Sequence, residues 1–490
     1  MKFNQTMAQR IRKILLSVAQ NESVFLCAIF FSYSFLSTNV LIWHAEAINA
    51  FNRWVILPWG GALCLLRLYR AHERDIQTHT DIRFLTLLYM WIVVPFGIRF
   101  GMTAMNVNDW FHFMVAFFGV YALITEETAE RRGMLMDVAG ALFAGISFVM
   151  GASLLYCAYT AQTFGQELSE MAFGLYTKNE ANNTMYILTA GLHYNSTGMF
   201  SVCCTLMCLL GVCRRKHFIS KLAHLVPALM MAAVVVLTQS RTARYSMLAA
   251  WAVGAYGAVA GNEMMSKKAL RQMAAVALGV SVFAAGYVSA AKITDMATYH
   301  YESVLNGQAQ PTVFSAALAE EAEHAEMQQT EAQNEEAKEM RGRGAGDLSF
   351  TGRTFIWNIV IEIWKSWPKY FVIGFGVGHF GSLLAPWGTG LTTHNAYLGF
   401  ISNYGIIGFI LLCCFFVSII RPMCRVFFAS NSRIQAGDRV MAMMVVATLL
   451  TGLMETEPFG AMSPMNAVLM FSMAMLVARG RELKADKLTV

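Results

Sequence analysis

Apolar runs separated by short polar stretches fill most of the chain. As helix, about 20 apolar residues cross a hydrocarbon core roughly 30 Å thick, and fewer suffice where neighbours help. On that measure spans are predicted at 22–43, 53–68, 84–101, 111–125, 134–158, 196–213, 222–238, 243–260, 269–290, 396–420, 440–454 and 463–478. The second, fourth and last two are short. Residues 291–395 break the pattern. Their middle, "AEEAEHAEMQQTEAQNEEAKEM" at 319–340, holds eight Glu and one Lys among Ala and Gln, which predicts a solvated helix. Beyond it, "TGRTFIWNIVIEIWKSWPKY" repeats Phe355, Ile356, Ile359, Ile363 and Trp367 at helical spacing. That is an amphipathic helix, lying on the membrane surface or against the bundle. "GFGVGHFGS" then supplies a glycine-rich turn around His379; no strand precedes it, so it is not a nucleotide loop.

The predicted fold is therefore an all-α polytopic membrane protein of about 12 transmembrane helices. Spans 1–9 occupy residues 1–290, a large helical extracytoplasmic loop 291–395, and spans 10–12 with a cytoplasmic tail 396–490. Composition agrees. Of 490 residues, 56% are hydrophobic and 14% charged, more apolar surface than a soluble chain could hide. The net charge of +6 comes from short basic clusters between apolar runs, so no nucleic acid is implied. With the N-terminus inside, cytoplasmic segments and their edges carry 25 of the 37 Lys and Arg, which puts both termini in the cytoplasm. The basic start, "MKFNQTMAQRIRKILL", leads into a retained first span rather than a cleaved leader. All ten cysteines lie in or beside apolar runs; Cys204 and Cys208, four apart, read as small packing residues before metal ligands.

In this topology the unusual polar residues gather on the outer side. "LTQSRTARYSM" places Arg241 and Arg244 in a very short outer turn, Arg353 opens the amphipathic helix, and His394 and Asn395 open span ten. Arg99 lies near the outer end of span three. Arg244 and Arg99 fit snorkelling to headgroups, whereas the Arg241 turn is too short to need a solubilising charge. No clear mid-span ionisable residue appears, which argues against a transporter or proton relay. Fixed guanidiniums at the outer edge suit phosphate oxygens instead, and a diphosphate-linked lipid is the natural ligand. Glu455 and Glu457 in "METEPFG" read as loop residues or as an ion-pair partner for one of the arginines. No compact carboxylate cluster suits Mg²⁺, so neither metal nor cofactor is expected.

"LTQSRTA", "TGRTFIW", "GFGVGHF" and "HNAYLGFISNYGIIG" occur in the order and topology of the bacterial O-antigen ligase and polymerase superfamily, which this chain resembles over roughly residues 180–475. "HYNSTGMF" around Asn195 resembles that family's polar opening of a middle span. The resemblance implies an inner-membrane glycosyltransferase with its active site facing the periplasm. Its donor would be a glycan on undecaprenyl diphosphate. Its acceptor would be a lipid A–core sugar for a ligase, or another lipid-linked repeat for a polymerase; a protein hydroxyl is a variant of the first. By the same resemblance Arg241 and Arg353 bind the diphosphate and His394 is catalytic, kept neutral beside arginines and able to act as base. Arg244, Arg99, Asn395 and Asn195 are weaker candidates. The acidic 319–340 insert and only nine prolines depart from a typical ligase. A twelve-span transporter is the distant alternative.

Overall fold

The computed structural model describes residues 21–32, 50–73, 79–95, 104–164, 173–180, 183–190, 194–261, 268–308, 351–376, 379–384, 393–430, 432–460 and 463–485. The basic N-terminal stretch, Arg99 and the acidic 319–340 insert lie outside them.

Each predicted span overlaps a helix. In order these are α1 (Glu22–Phe30), α2 (Leu57–Glu73), α3 (Thr80–Ile92), α4 (Ala104–Met114, continued by a π-helical stretch to Thr125), α5 (Ala129–Thr160), α6 (Tyr194–Arg214), α7 (Phe218–Leu237), α8 (Arg241–Ala260) and α9 (Lys268–Gln308). The loop that follows contributes α10 (Thr351–Ser366), α11 (Pro368–Ile373) and α12 (His379–Leu384). Last come α13 (Ala396–Phe427), α14 (Ala436–Thr451) and α15 (Pro464–Ala485). Among the described residues, five helices are long and apolar enough to cross a membrane: α5, α6, α7, residues Leu270–Val304 of α9, and α13.

Successive helices run antiparallel, so polar groups collect at two ends. At one end the N-terminal turns of α5 and α14 meet the C-termini of α6 and α15. Arg214 pairs with Asp137 at 2.7 Å and reaches Gln435 at 3.2 Å, and Arg479 pairs with Glu482 at 3.0 Å. At the other end Thr451, closing α14, donates to Ser246 near the start of α8, and the Ala396 amide, starting α13, donates to the Gly452 carbonyl. Between the ends the core is aliphatic and aromatic, with small residues where backbones touch. A Cβ on Gly140 of α5 would sit 3.2 Å from the Gly211 backbone of α6.

Three features depart from the sequence expectation. A three-stranded antiparallel sheet joins α5 to α6: β1 (Thr163–Phe164), β2 (Phe173–Glu180) and β3 (Asn183–Ala190), in that order. The molecule is thus mostly rather than wholly helical. Helix α9 continues well past 290 to Gln308; Ala, Met and Tyr carry it there without a breaking Pro. And His112, near the start of the fourth predicted span, is fully buried within the aromatic run "WFHFM". The ten cysteines form no disulfide, and the Cys208 thiol hydrogen-bonds Ser147 at 3.3 Å as a packing residue would.

The predicted amphipathic helix is α10. Ile356, Ile359 and Val360 are buried with Phe375, Phe380 and Leu384 in a separate small core, and Ile363 packs against it. Phe355 and Trp367 stay more than 40% exposed. The glycine-rich turn after α11 has a structural task. Helix α13 is interrupted at Gly405, whose φ of 71° and ψ of 175° only glycine adopts readily. The interruption leaves carbonyls without their partners four residues on. Ser402 O receives the Phe375 amide at 2.8 Å, Asn403 O the Gly376 amide at 2.9 Å, and Tyr404 O the Trp91 indole N–H at 2.7 Å. Backbone from the loop thereby completes a broken helix, as an apolar surrounding demands.

Candidate functional site

The short segment before α13 is tightly fixed. His394 itself takes a left-handed conformation with φ of 43°. For a residue with a Cβ that costs about 1–2 kcal/mol, although His visits the region more readily than most. Neighbours hold it there. The Trp357 indole of α10 donates to Thr393 O at 2.9 Å, and the Thr393 hydroxyl donates to Asn395 O at 2.9 Å. Asn395 caps α13: its Oδ1 accepts from the amides of Tyr397 and Leu398, each at 3.0 Å, and its Nδ2 donates to Leu453 O at 3.0 Å. Asn395 therefore builds the turn that presents His394. Gln239, also left-handed at φ of 53°, precedes the Ser240 cap of α8 in the same way, so the two turns share one design.

Glu455 gathers the site. It follows α14 by four residues, its side chain is only 5% exposed, and each of its oxygens faces a different partner. Oε1 accepts from Arg353 Nη2 at 2.9 Å, while Oε2 lies 3.5 Å from His394 Nδ1, an ion-pair contact longer than a hydrogen bond. Arg353 also rests Nη1 on the Met454 sulfur at 3.2 Å. The sequence placed Glu455 as a loop residue or an arginine's partner, and the partner is Arg353. The charge facing His394 Nδ1 is thus a carboxylate, not the arginines the sequence suggested. No local signal in the chain reveals that contact, because His394 and Glu455 stand 61 positions apart.

The other candidates divide. Arg241 is exposed at the first position of α8 and forms no hydrogen bond or ion pair among the described residues. It shares the end of the bundle with His394 through the Ser246–Thr451 bond, but five residues of helix turn it about 140° from Ser246. The structure therefore joins Arg353 with His394 and leaves Arg241 apart. Arg244 is not directed at solvent. It donates to Val236 O at 2.7 Å and to Thr294 Oγ1 at 3.0 Å, tying α7, α8 and α9 together. Asn195 is buried in the first turn of α6, below the 238–243 turn that Gly198 touches. Among the described residues no three His, Cys, Asp or Glu side chains lie close enough to hold a metal ion together.

Residues 226–413 match the family model described as O-antigen ligase. Over that segment the chain is similar to the O-antigen ligase superfamily. The matched stretch holds Arg241, Arg244, Arg353, His394 and Asn395, while Asn195 and Glu455 fall outside it. The family is one of glycosyltransferase-like enzymes of ligase or polymerase type that act on lipid-linked glycans. With five membrane-length helices, the chain is an integral membrane protein. No curated protein sequence matches it.

Proposed function

We propose that the protein is a glycosyltransferase that moves a glycan from undecaprenyl diphosphate to an acceptor hydroxyl, a lipid A–core sugar, on the periplasmic face of the inner membrane. The observation that carries this reading is the Arg353–Glu455–His394 group at the mouth of α13, two of whose members lie in the segment that matches the O-antigen ligase family model. Twelve spans with both termini in the cytoplasm bring that mouth to the outer face. Nucleotide sugars do not reach it, so the donor must arrive already activated by a lipid diphosphate.

Each group has a task. A carboxylate on Nδ1 keeps the imidazole proton there and the Nε2 lone pair toward the acceptor, the usual division of work between the two ring nitrogens. His394 takes the acceptor's proton as its oxygen attacks the anomeric carbon. The bond from that carbon to the diphosphate breaks, and the electron pair leaves with the lipid diphosphate. Guanidiniums neutralise the departing charge. Arg353 reaches this state by exchange: an incoming diphosphate competes with Glu455 for it, and the released carboxylate closes on His394. Binding the donor thus arms the base. The left-handed turn at His394 and the five hydrogen bonds described around it supply the fixed placement that such a step needs.

The test is reconstitution: purified protein, a lipid-linked glycan and lipid A–core, with the product resolved by mass. Transfer to lipid A–core, abolished in His394→Gln, supports the ligase. If the only product is a longer glycan on undecaprenyl diphosphate, the same chemistry serves a repeat-unit polymerase. Movement of substrate across vesicles without a new glycosidic bond would sink both.

A further inference from the structure

Met454 touches Arg353 and takes no part in the proposed reaction. It stands between Leu453, whose carbonyl holds the Asn395 side chain, and Glu455, whose carboxylate holds Arg353. Its sulfur accepts from Arg353 Nη1 at 3.2 Å, and the residue is partly exposed. A thioether is a weak acceptor, so this contact restrains the guanidinium far less than the Glu455 oxygen at 2.9 Å does. Other methionines are placed differently. Met199 also receives a hydrogen bond, from Thr451 Oγ1 at 3.7 Å, but it is fully buried. Met90 and Met273, 61% and 69% exposed, lie within predicted spans, where lipid covers them. Met296, 72% exposed beyond the ninth predicted span, forms no hydrogen bond among the described residues.

We propose that Met454 is an oxidation site through which peroxide withdraws Arg353 from the donor. The thioether sulfur attacks one oxygen of hydrogen peroxide and the O–O bond breaks. The departing hydroxide takes the proton from the sulfur-bound oxygen and leaves as water. Peroxide is thus reduced by two electrons, and the thioether is oxidised to a sulfoxide. This step changes the acceptor and leaves every charge in place. A sulfoxide oxygen is strongly polar, and a guanidinium gives it a charge-assisted bond. That oxygen cannot fit between sulfur and Nη1 at 3.2 Å, so the flexible side chain swings back until oxygen, in place of sulfur, receives the N–H. Arg353 is then held at Nη1 by Met454 and at Nη2 by Glu455. An incoming diphosphate must displace two strong acceptors instead of one, and Glu455 is not released to His394. The proposal rests on the glycosyl-transfer reading above and on its outward-facing site, which peroxide from outside the cell meets before any cytoplasmic enzyme destroys it.

The experiment treats the purified full-length protein in detergent micelles with hydrogen peroxide and removes the excess with catalase. It then measures KM for the lipid-linked donor, and the oxygen gained by the Met454 and Met296 peptides by mass spectrometry. In wild type the donor KM should rise about tenfold as the Met454 peptide gains one oxygen, the worth of one added charge-assisted bond. Methionine sulfoxide reductases, one for each epimer, should restore it. Met454→Leu, which keeps the volume and removes the sulfur, should show the same KM before and after peroxide, whatever its starting value. Met296→Leu should respond as wild type does. Met454→Gln, whose amide oxygen stands in for the sulfoxide, should carry a raised KM with no oxidant. Should that variant not accumulate, the peroxide and reductase cycle on wild type decides alone. A Met454 peptide that stays unoxidised while Met296 takes up oxygen overturns the site. So does a wild-type KM unmoved by full oxidation of Met454, or an equal rise in Met454→Leu; in each case transfer by untreated wild type leaves the glycosyl-transfer reading standing. Untreated wild type that makes no glycosidic bond overturns that reading, and the effect of Met454 on the donor goes with it.

Discussion

His394 acquires its meaning from Glu455. A lone histidine at a membrane edge is usually structural, yet here the backbone is held left-handed and a buried carboxylate faces Nδ1. A positioned base contributes a factor of about 10²–10⁴. His394→Gln should lose turnover of that order while donor binding, measured by filter retention of the lipid-linked glycan, survives. Near-normal turnover would make the residue an anchor and move proton removal elsewhere. Arg353→Ala and Arg241→Ala should each cost about ten- to hundredfold in rate, the worth of one charge-assisted phosphate contact of roughly 1.5–3 kcal/mol. Lys should rescue only in part, since it lacks the planar fork. Arg353→Ala also uncovers Glu455, so the pair Arg353→Ala, Glu455→Gln should recover expression without activity; recovery of both would mean that Arg353 only neutralises its partner. With guanidiniums on the leaving group, the rate should persist in EDTA. A rate that collapses and returns with Mg²⁺ would place a metal on the diphosphate. Of this site the sequence made each cation legible, because charges stand out against apolar runs. Their pairing was legible only as far as an ion pair between Glu455 or Glu457 and one of the arginines, since nothing local links Arg353 to Glu455.

The element that presents His394 is half a helix. Residues 396–404 end at Gly405, and three orphaned carbonyls are completed by the Phe375 and Gly376 amides and by Trp91. The loop and the half-helix that presents His394 are therefore one mechanical unit. Gly405→Ala meets two objections at once, a backbone region almost confined to glycine and a Cβ driven into Val372 O. Its apparent melting temperature in detergent should drop, for a loss on the order of 1–3 kcal/mol. Trp91→Phe, which removes one donor and keeps an aromatic ring, should cost about 1–3 kcal/mol by leaving Tyr404 O unpaired. A Gly405→Ala protein as stable as wild type would show that α13 can run straight. Element reading from the sequence succeeded where periodicity was strong: α10 was visible as an apolar stripe, whose middle, Ile356, Ile359 and Ile363, packs inward while its ends, Phe355 and Trp367, stay exposed. It failed at the sheet. Phe173, Gly174 and Leu175 are all buried, as are Ile187 through Ala190, so these paired strand ends carry no alternation of buried and exposed positions. The extension of α9 to Gln308 was missed because counting apolar residues finds where a membrane ends, not where a helix does.

At the scale of the molecule, two polar ends face opposite ways. One is a web of ion pairs that joins helix termini: Arg214 with Asp137, Arg479 with Glu482, Arg132 with Glu482, and Arg481 with Asp81. The other carries Arg353, Glu455 and His394. Sequence alone orients them, through the 25 of 37 Lys and Arg expected in cytoplasmic segments and their edges. Five of those cations, Arg131, Arg132, Arg214, Arg479 and Arg481, are paired with acids among the described residues, but the rule counts Lys and Arg rather than net charge, so pairing does not weaken it. The prediction is a topology experiment. A periplasm-dependent reporter fused after Glu336 should be active, and one fused at Ser432, in the turn between α13 and α14, should be silent. A cytoplasm-dependent reporter should give the converse at both sites. The two sites flank α13, so they test one crossing and the side of His394 together. Reversal at both would turn His394 toward soluble nucleotide sugars, where a lipid diphosphate donor is no longer required and the arginines would need another purpose. Agreement between the two sites would mean that α13 does not cross at all, and its break at Gly405 would then belong to a re-entrant hairpin.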